Sequence, residues 1–199
     1  MSKRQVVCLG AGVIGAGWAA RCLENGHDVR VYDIADNAEE NLNAVLQNAE
    51  HAYAKLTMAQ RPRKGQLQFC ANLESALQGA EWVIESVPER LDIKRALYRE
   101  IEQNVPANTM IVSSTSGIMP SDLQAEMRQP DRLLVAHPFN PVYLLPLVEL
   151  VAGRETATSA VDEAREFYSA MGMKPIVVKK EIEAFVADRL LEAIWRESL

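Results

Sequence analysis

Short apolar runs alternate with stretches of helical periodicity along most of the chain. Gln5–Leu9 is a β-type run that leads into a cluster of glycines. A helix-compatible stretch carrying Trp18, Ala19, Cys22 and Leu23 follows and closes at the turn Glu24-Asn25-Gly26. A second strand is expected over Asp28–Tyr32, then a long polar helix marked by Leu42, Val45, Leu46, Ala49 and Tyr53, then a short strand near Leu67–Cys70. Trp82–Ser86, Met110–Ser113, Leu133–Ala136, Leu147–Val151 and Pro175–Val178 read as further strands, with helices near Leu91–Glu102, Asp122–Met127 and Ala160–Met171. Strands alternating with helices build βαβ units, so the expected fold is α/β, with a doubly wound, mainly parallel sheet covered on both faces. The last stretch, Glu183–Leu199, is amphipathic, with Phe185, Val186, Leu190, Leu191, Ile194 and Trp195 at helical spacing. That face is expected to be exposed.

Composition narrows the function classes. The chain has 199 residues, 48% hydrophobic and 24% charged, with 21 Lys+Arg against 27 Asp+Glu and a formal charge of −6. Disorder, collagen and long membrane spans do not fit such a mixture, which has the length for one large or two small domains. A sequence pI of about 5.2 without clustered cations argues against nucleic acid and for a small-molecule partner. Cys8, Cys22 and Cys70 are odd in number and lack CxxC spacing, so neither a disulfide framework nor a metal site is expected. A cytoplasmic setting fits this usage. Lys3 and Arg4 before the apolar Val6–Ala20 have the layout of a secretory signal, but glycines at 10, 12, 15 and 17 argue against it.

Those glycines have a mechanical explanation. Gly10-Ala11-Gly12-Val13-Ile14-Gly15 fits GxGxxG directly after an expected strand and at the opening of an expected helix, the context that makes this pattern a dinucleotide site of Rossmann type. Gly10 would permit the tight turn, Gly12 the approach of a pyrophosphate, and Gly15 close packing of helix on strand. The helix N-terminus would present its N–H groups to the phosphates. Asp33, 18 residues beyond Gly15, ends the second strand, where a carboxylate can accept hydrogen bonds from ribose hydroxyls. It would repel a 2′-phosphate, and no arginine follows closely, so NAD is expected over NADP.

Of the three histidines, His27 sits in a turn and His51 on a polar helix. His137 ends the run Leu133–Ala136 and begins His-Pro-Phe-Asn-Pro, at a strand's carboxyl end, where open α/β sheets place their sites. Glu149 lies twelve residues on, inside the apolar run Leu147–Val151, where a carboxylate needs a partner. It could hold one imidazole nitrogen and raise the basicity of the other. An edge-strand glutamate facing water beside a structural histidine fits the same spacing.

The glycine motif, Ser114-Thr115-Ser116, His137-Pro138-Phe139-Asn140-Pro141 and Leu147-Val148-Glu149, taken in order, resemble the 3-hydroxyacyl-CoA dehydrogenase family from about residue 5 onward. The resemblance implies an NAD-binding domain with an eight-stranded sheet, then a helical domain that dimerises and closes the active site. It therefore implies a division into residues 1–180 as cofactor domain and 181–199 as the first helix of a truncated all-α domain, with homodimerisation of the intact protein. It carries over His137 as general base, Glu149 as its orienting partner, Ser116 and Asn140 at the reacting oxygen, and Glu89 and Lys94 near the cofactor.

Two departures bear on the substrate. The helix after the second strand carries Asp36, Glu39, Glu40 and Glu50 against Lys55, a poor surface for the phosphorylated end of CoA. The segment Phe185-Val186-Ala187-Asp188-Arg189 has an anion where the family carries an asparagine. With the extended motif His137–Pro146, this looks most like the family's carnitine-oxidising branch. The resemblance implies L-carnitine, whose quaternary ammonium favours carboxylates and aromatic faces, with Asp188 and Tyr143 as candidate receivers. Pairing of Asp188 with Arg189 or another cation would explain that residue equally well. The alternatives are a short-chain 3-hydroxyacyl-CoA dehydrogenase, an NAD-binding module without turnover, and a structural use of the fold.

Overall fold

The apolar run at the start forms β1 (Gln5–Leu9), an interior strand paired in parallel with β2 (Asp28–Tyr32) on one edge and β4 (Trp82–Glu85) on the other. In this computed structural model, which describes residues 3–56 and 62–199, β3 (Leu67–Phe69), β5 (Met110–Ser113), β6 (Leu133–Pro138), β7 (Leu147–Ala152) and β8 (Lys174–Val178) complete one sheet. Its order is β3-β2-β1-β4-β5-β6-β7-β8, parallel throughout except for the antiparallel pair β6–β7. Every residue of β4, β5 and β6 is buried, as strands covered on both faces must be. The eight-stranded α/β fold expected from the sequence is therefore present.

Successive side chains of β1 point to opposite faces and so enter two cores. On one face Val6 and Cys8 pack with Trp18 and Cys22 of α1 (Val13–Glu24), Leu42 of α2 (Ala38–Leu56), and Phe167 and Tyr168 of α6 (Thr158–Ala170). There Trp82 stacks on Phe167, with ring centroids 4.0 Å apart. On the other face Val7 and Leu9 meet Leu77 of α3 (Leu73–Leu77), Tyr98 and Ile101 of α4 (Leu91–Asn104), and Leu123 of α5 (Pro120–Gln124). All three cysteines are free and buried. Among the described residues no helix is long and apolar enough to cross a membrane.

Several elements depart from the sequence expectation. The short helix α3 was not marked by the apolar pattern. It is started by Asn72, whose side chain accepts from the Ser75 N–H. The helix expected over Asp122–Met127 runs instead over Pro120–Gln124, opened by a proline whose fixed φ suits the first turn. The last helix, α7, spans Ala187–Ser198 and begins four residues later than its periodicity suggested. Leu190, Leu191, Ile194 and Trp195 form its exposed apolar face, as expected. Phe185 does not. It precedes the helix, is wholly buried, and packs into the second core, because Ala184 and Phe185 both adopt left-handed backbone angles (φ 57° and 49°) that break the helical path.

Candidate active site

Parallel strands deliver their carboxyl ends to one edge of the sheet, and the predicted site residues collect there. Gly10, after β1, has φ +92°, and a Cβ on it would lie 2.6 Å from the Ser86 carbonyl oxygen. A Cβ on Gly15 would meet the Gly10 oxygen at 1.9 Å, so the helix approaches the loop only because this residue is bare. Around Gly12 nothing lies within 4 Å. No side chain caps α1, which leaves its first N–H groups for an anion, beside Val13 and Ile14. Asp33, just past β2, accepts from the Ala11 N–H at 2.6 Å and the Ala35 N–H at 2.9 Å. Its remaining lone pairs stay available to ribose hydroxyls. Open space at Gly12, an uncapped helix and an acid tied to the same loop together fit NAD.

His137 and Glu149 stand directly opposite each other in the antiparallel pair β6–β7, so both side chains share one face. The imidazole Nδ1 lies 2.9 Å from Glu149 Oε2, and both residues are buried. Glu149 Oε1 accepts the N–H groups of Val186 and Ala187, each at 3.0 Å. Burial pushes the Glu149 pKa up, but the hydrogen bonds from His137, Ala187 and Val186 outweigh it and leave the pKa below the ordinary carboxylate value. An ionised Glu149 requires N–H at Nδ1, which leaves Nε2 as an acceptor. Among the described residues Nε2 has no hydrogen-bond partner. Phe139 and Phe185 flank the ring, with centroids 5.0 and 5.6 Å away. The water-facing glutamate that the spacing also permitted is thus not what forms.

Glu85, at the end of β4, was not expected and is the most enclosed charge of this edge. Its carboxylate accepts from Lys94 Nζ at 2.7 Å, Tyr98 OH at 2.6 Å, Ser113 Oγ at 2.7 Å and the Val87 N–H at 2.9 Å. Burial and the adjacent Glu85 charge push the Tyr98 hydroxyl well above its ordinary pKa, so it stays a donor. Lys94, expected near the cofactor, is only 1% exposed. Its ammonium sits between Glu85 and Glu89, 3.4 Å from the latter. Glu89, at the exposed end of this chain of charges, also accepts from the Thr115 hydroxyl and from the N–H groups of Ser116 (3.1 Å) and Gly117 (3.3 Å). Burial raises the Glu89 pKa; the Thr115 hydroxyl, Lys94 and the Ser116 N–H lower it further than that. The chain Glu85–Lys94–Glu89 therefore holds the loop that carries Ser116.

The Ser116 and Asn140 side chains are exposed and make no hydrogen bond among the described residues, which leaves both free for a ligand. Tyr143 is half-buried, its ring edge-on to Tyr53 at 6.4 Å, and the Tyr53 hydroxyl donates to the Tyr143 carbonyl. Its loop is clamped by Arg21 of α1, a buried cation that donates to the carbonyls of Val142 (2.8 Å), Leu145 (3.1 Å) and Met171 (3.2 Å). Asp188 lies half-buried in the first turn of α7, where an anion suits the helix dipole. Among the described residues neither Asp188 nor Arg189 makes an ion pair, so the pairing that offered a bland explanation is not found. His27 is buried, accepts the Arg4 N–H and packs on Phe167, a structural role.

Glu85 and Arg21 were not singled out from sequence, and Ser114 and Phe185 were read only as part of a motif and of an exposed helix face. Ser114 Oγ accepts from Trp18 Nε1 and lies 3.0 Å from Ser86 Oγ, stitching α1 to the ends of β4 and β5. A signal for Glu85 did exist. Lys94 falls in the apolar stripe Leu91, Tyr98, Ile101 of α4, and a lysine there requires a buried anion.

Comparison with known proteins identifies the family and the fold. Residues 5–182 match the family described as 3-hydroxyacyl-CoA dehydrogenase, NAD binding domain. An L-carnitine dehydrogenase/betainyl-CoA thioesterase of Rhizobium sp is 52% identical over 195 residues, 98% of this chain and 39% of that protein. The L-carnitine dehydrogenase of Mesorhizobium japonicum is 50% identical over 196 residues, 98% of this chain and 54% of that protein. The chain thus spans about half the length of these relatives or less. Among solved structures, a 5-formyl-3-hydroxy-2-methylpyridine 4-carboxylic acid 5-dehydrogenase superposes with a TM-score of 0.93 at 36% identity, covering 98% of this chain and 64% of that one.

Proposed function

The chain belongs to the 3-hydroxyacyl-CoA dehydrogenase family, with residues 5–182 as its NAD-binding domain, and on that footing we propose that it serves the NAD-dependent oxidation of the 3-hydroxyl of L-carnitine to 3-dehydrocarnitine. The observation that carries this reading is the buried His137–Glu149 hydrogen bond with Nε2 left unpartnered at the sheet's carboxyl edge.

NAD, held by Gly10–Gly15 and Asp33, supplies the hydride acceptor. His137 Nε2 takes the hydroxyl proton as C3 becomes a carbonyl carbon. Glu149 keeps Nδ1 protonated and stabilises the imidazolium that forms. Ser116 and Asn140 donate to the substrate oxygen as its charge changes, and Glu89 fixes the Ser116 backbone from below. Lys94 supports the cofactor edge through Glu89. Asp188, an unpaired half-buried carboxylate, and the Tyr143 ring receive the quaternary ammonium. Support for carnitine over an acyl-CoA comes from the relatives' activities and from the acidic ridge of Asp36, Glu39 and Glu40 around the start of α2. We further propose that residues 181–199 open a helical unit, that the intact protein is a homodimer, and that it works in the cytoplasm. The exposed apolar face of α7 supports the first two.

NADH formation measured side by side with L-carnitine and 3-hydroxybutyryl-CoA tests the reading. Turnover of L-carnitine alone is expected. Turnover of the CoA ester alone would replace carnitine as substrate, and NAD binding by calorimetry without turnover of either would reduce this chain to a cofactor module.

A further inference from the structure

Ala184 and Phe185 are consecutive non-glycine residues with φ of 57° and 49°. Left-handed backbone crowds the Cβ of an L-residue, so two such residues in succession persist only where surrounding contacts hold them. Phe185 is wholly buried, its N–H donates to the Ile182 carbonyl, and its ring lies 5.6 Å from the His137 ring at 52°. The Phe139 ring lies 5.0 Å from the same imidazole at 58°. Directly after the turn, the Val186 and Ala187 N–H groups both reach Glu149 Oε1. No residue of α7 itself is buried, so this turn is where the helix is attached to the sheet.

We propose that the Ala184-Phe185 turn is a positioning device for the catalytic base, with Phe185 as its positioning residue. It packs a second phenyl ring against the imidazole, in addition to Phe139, and gives one oxygen of Glu149 two backbone donors. The other oxygen then has only Nδ1–H to accept. Fixing both the plane of the ring and the acceptor that faces it selects the tautomer with a bare Nε2. The helix that leaves the sheet is thereby joined to the base through a single carboxylate. This inference rests on His137 being the base.

Phe185→Ala removes the ring, and Phe185→Leu restores most of its volume. Both are compared with wild type, in the full chain, by kcat on L-carnitine, by NAD affinity, and by 15N shifts of the His137 ring without substrate. Loss of ring placement is expected to lower kcat by about a hundredfold with little change in NAD affinity. The ring nitrogens should move toward a mixture of tautomers, and leucine should recover most of both effects. Wild-type kcat and ring shifts in folded Phe185→Ala would overturn the proposal and leave the turn a mere anchor. Where the alanine variant does not fold, the smaller truncation Phe185→Val takes its place: ring shifts moved toward a tautomer mixture support the role, and wild-type ring shifts refute it. The ring shifts need no substrate, so they stand even if L-carnitine is not turned over.

Discussion

Replacing Glu149 with glutamine separates the charge of the carboxylate from its shape. In the native arrangement Oε2 faces Nδ1–H of His137 while Oε1 accepts two backbone N–H groups. A glutamine amide has one oxygen and one NH2, and must choose. With its oxygen toward His137, the NH2 confronts the Val186 and Ala187 donors, which lose their acceptor at about 1–3 kcal/mol each, or about 2–6 kcal/mol together. With its oxygen toward the backbone, the NH2 faces Nδ1, which must then be the bare nitrogen, and Nε2 carries the proton. The second arrangement wins, and it is the wrong tautomer for a base. At about 1.4 kcal/mol per factor of ten, kcat should fall between ~30-fold and ~20,000-fold. NADH formation gives kcat, and calorimetry gives the NAD affinity, which should hold. Glu149→Ala imposes no tautomer and is expected to retain more activity than the isosteric glutamine. Activity of Glu149→Gln within about threefold of wild type would refute the argument.

Other substitutions test other parts of the structure. Gly12→Ala should leave the thermal midpoint within a few degrees, because nothing lies within 4 Å, while weakening NAD binding at least about tenfold by calorimetry. Gly15→Ala should weaken binding and also destabilise the fold in denaturant, since its Cβ would meet the Gly10 oxygen at 1.9 Å. Glu85→Gln leaves Lys94 without its buried counter-ion and should cost about 3–5 kcal/mol of unfolding free energy in a urea titration. Burial pushes the Glu163 pKa up, but Arg4 and Arg132 lower it further and leave it below the ordinary carboxylate value. A depressed folded pKa contributes stability above the unfolded value and loses it as pH falls through the folded one. Glu163→Gln should therefore cost about 1 kcal/mol at neutral pH, and the difference should vanish in acid; a constant difference across that range would refute it.

The sheet and the glycine loop were legible because each strand is a short apolar run and each glycine answers a local steric demand. The histidine–glutamate pair was legible as a possibility, since a carboxylate inside Leu147–Val151 had to find a partner; only the antiparallel register selected which. Glu85 escaped notice because a glutamate next to the end of the expected strand Trp82–Ser86 is compatible with a strand leaving the core toward water. Its meaning depends on Lys94 and Tyr98 arriving from α4 and Ser113 from β5. Phe185 escaped for a different reason. Neither glycine nor proline marks the turn at Ala184, so helical periodicity ran on through residues whose backbone leaves the helix.

The antiparallel pairing of β6 with β7 also makes the protein a judge of its own assembly. Glu149 stands between Val148 and Leu150, both wholly buried. A slip of one residue would set an aliphatic side chain opposite His137 and carry the carboxylate through to the far side of the sheet. Such a chain could retain the glycine loop and still bind nucleotide. In a refolded sample the ratio of turnover to nucleotide-binding sites would then count the molecules whose two strands met in the right frame.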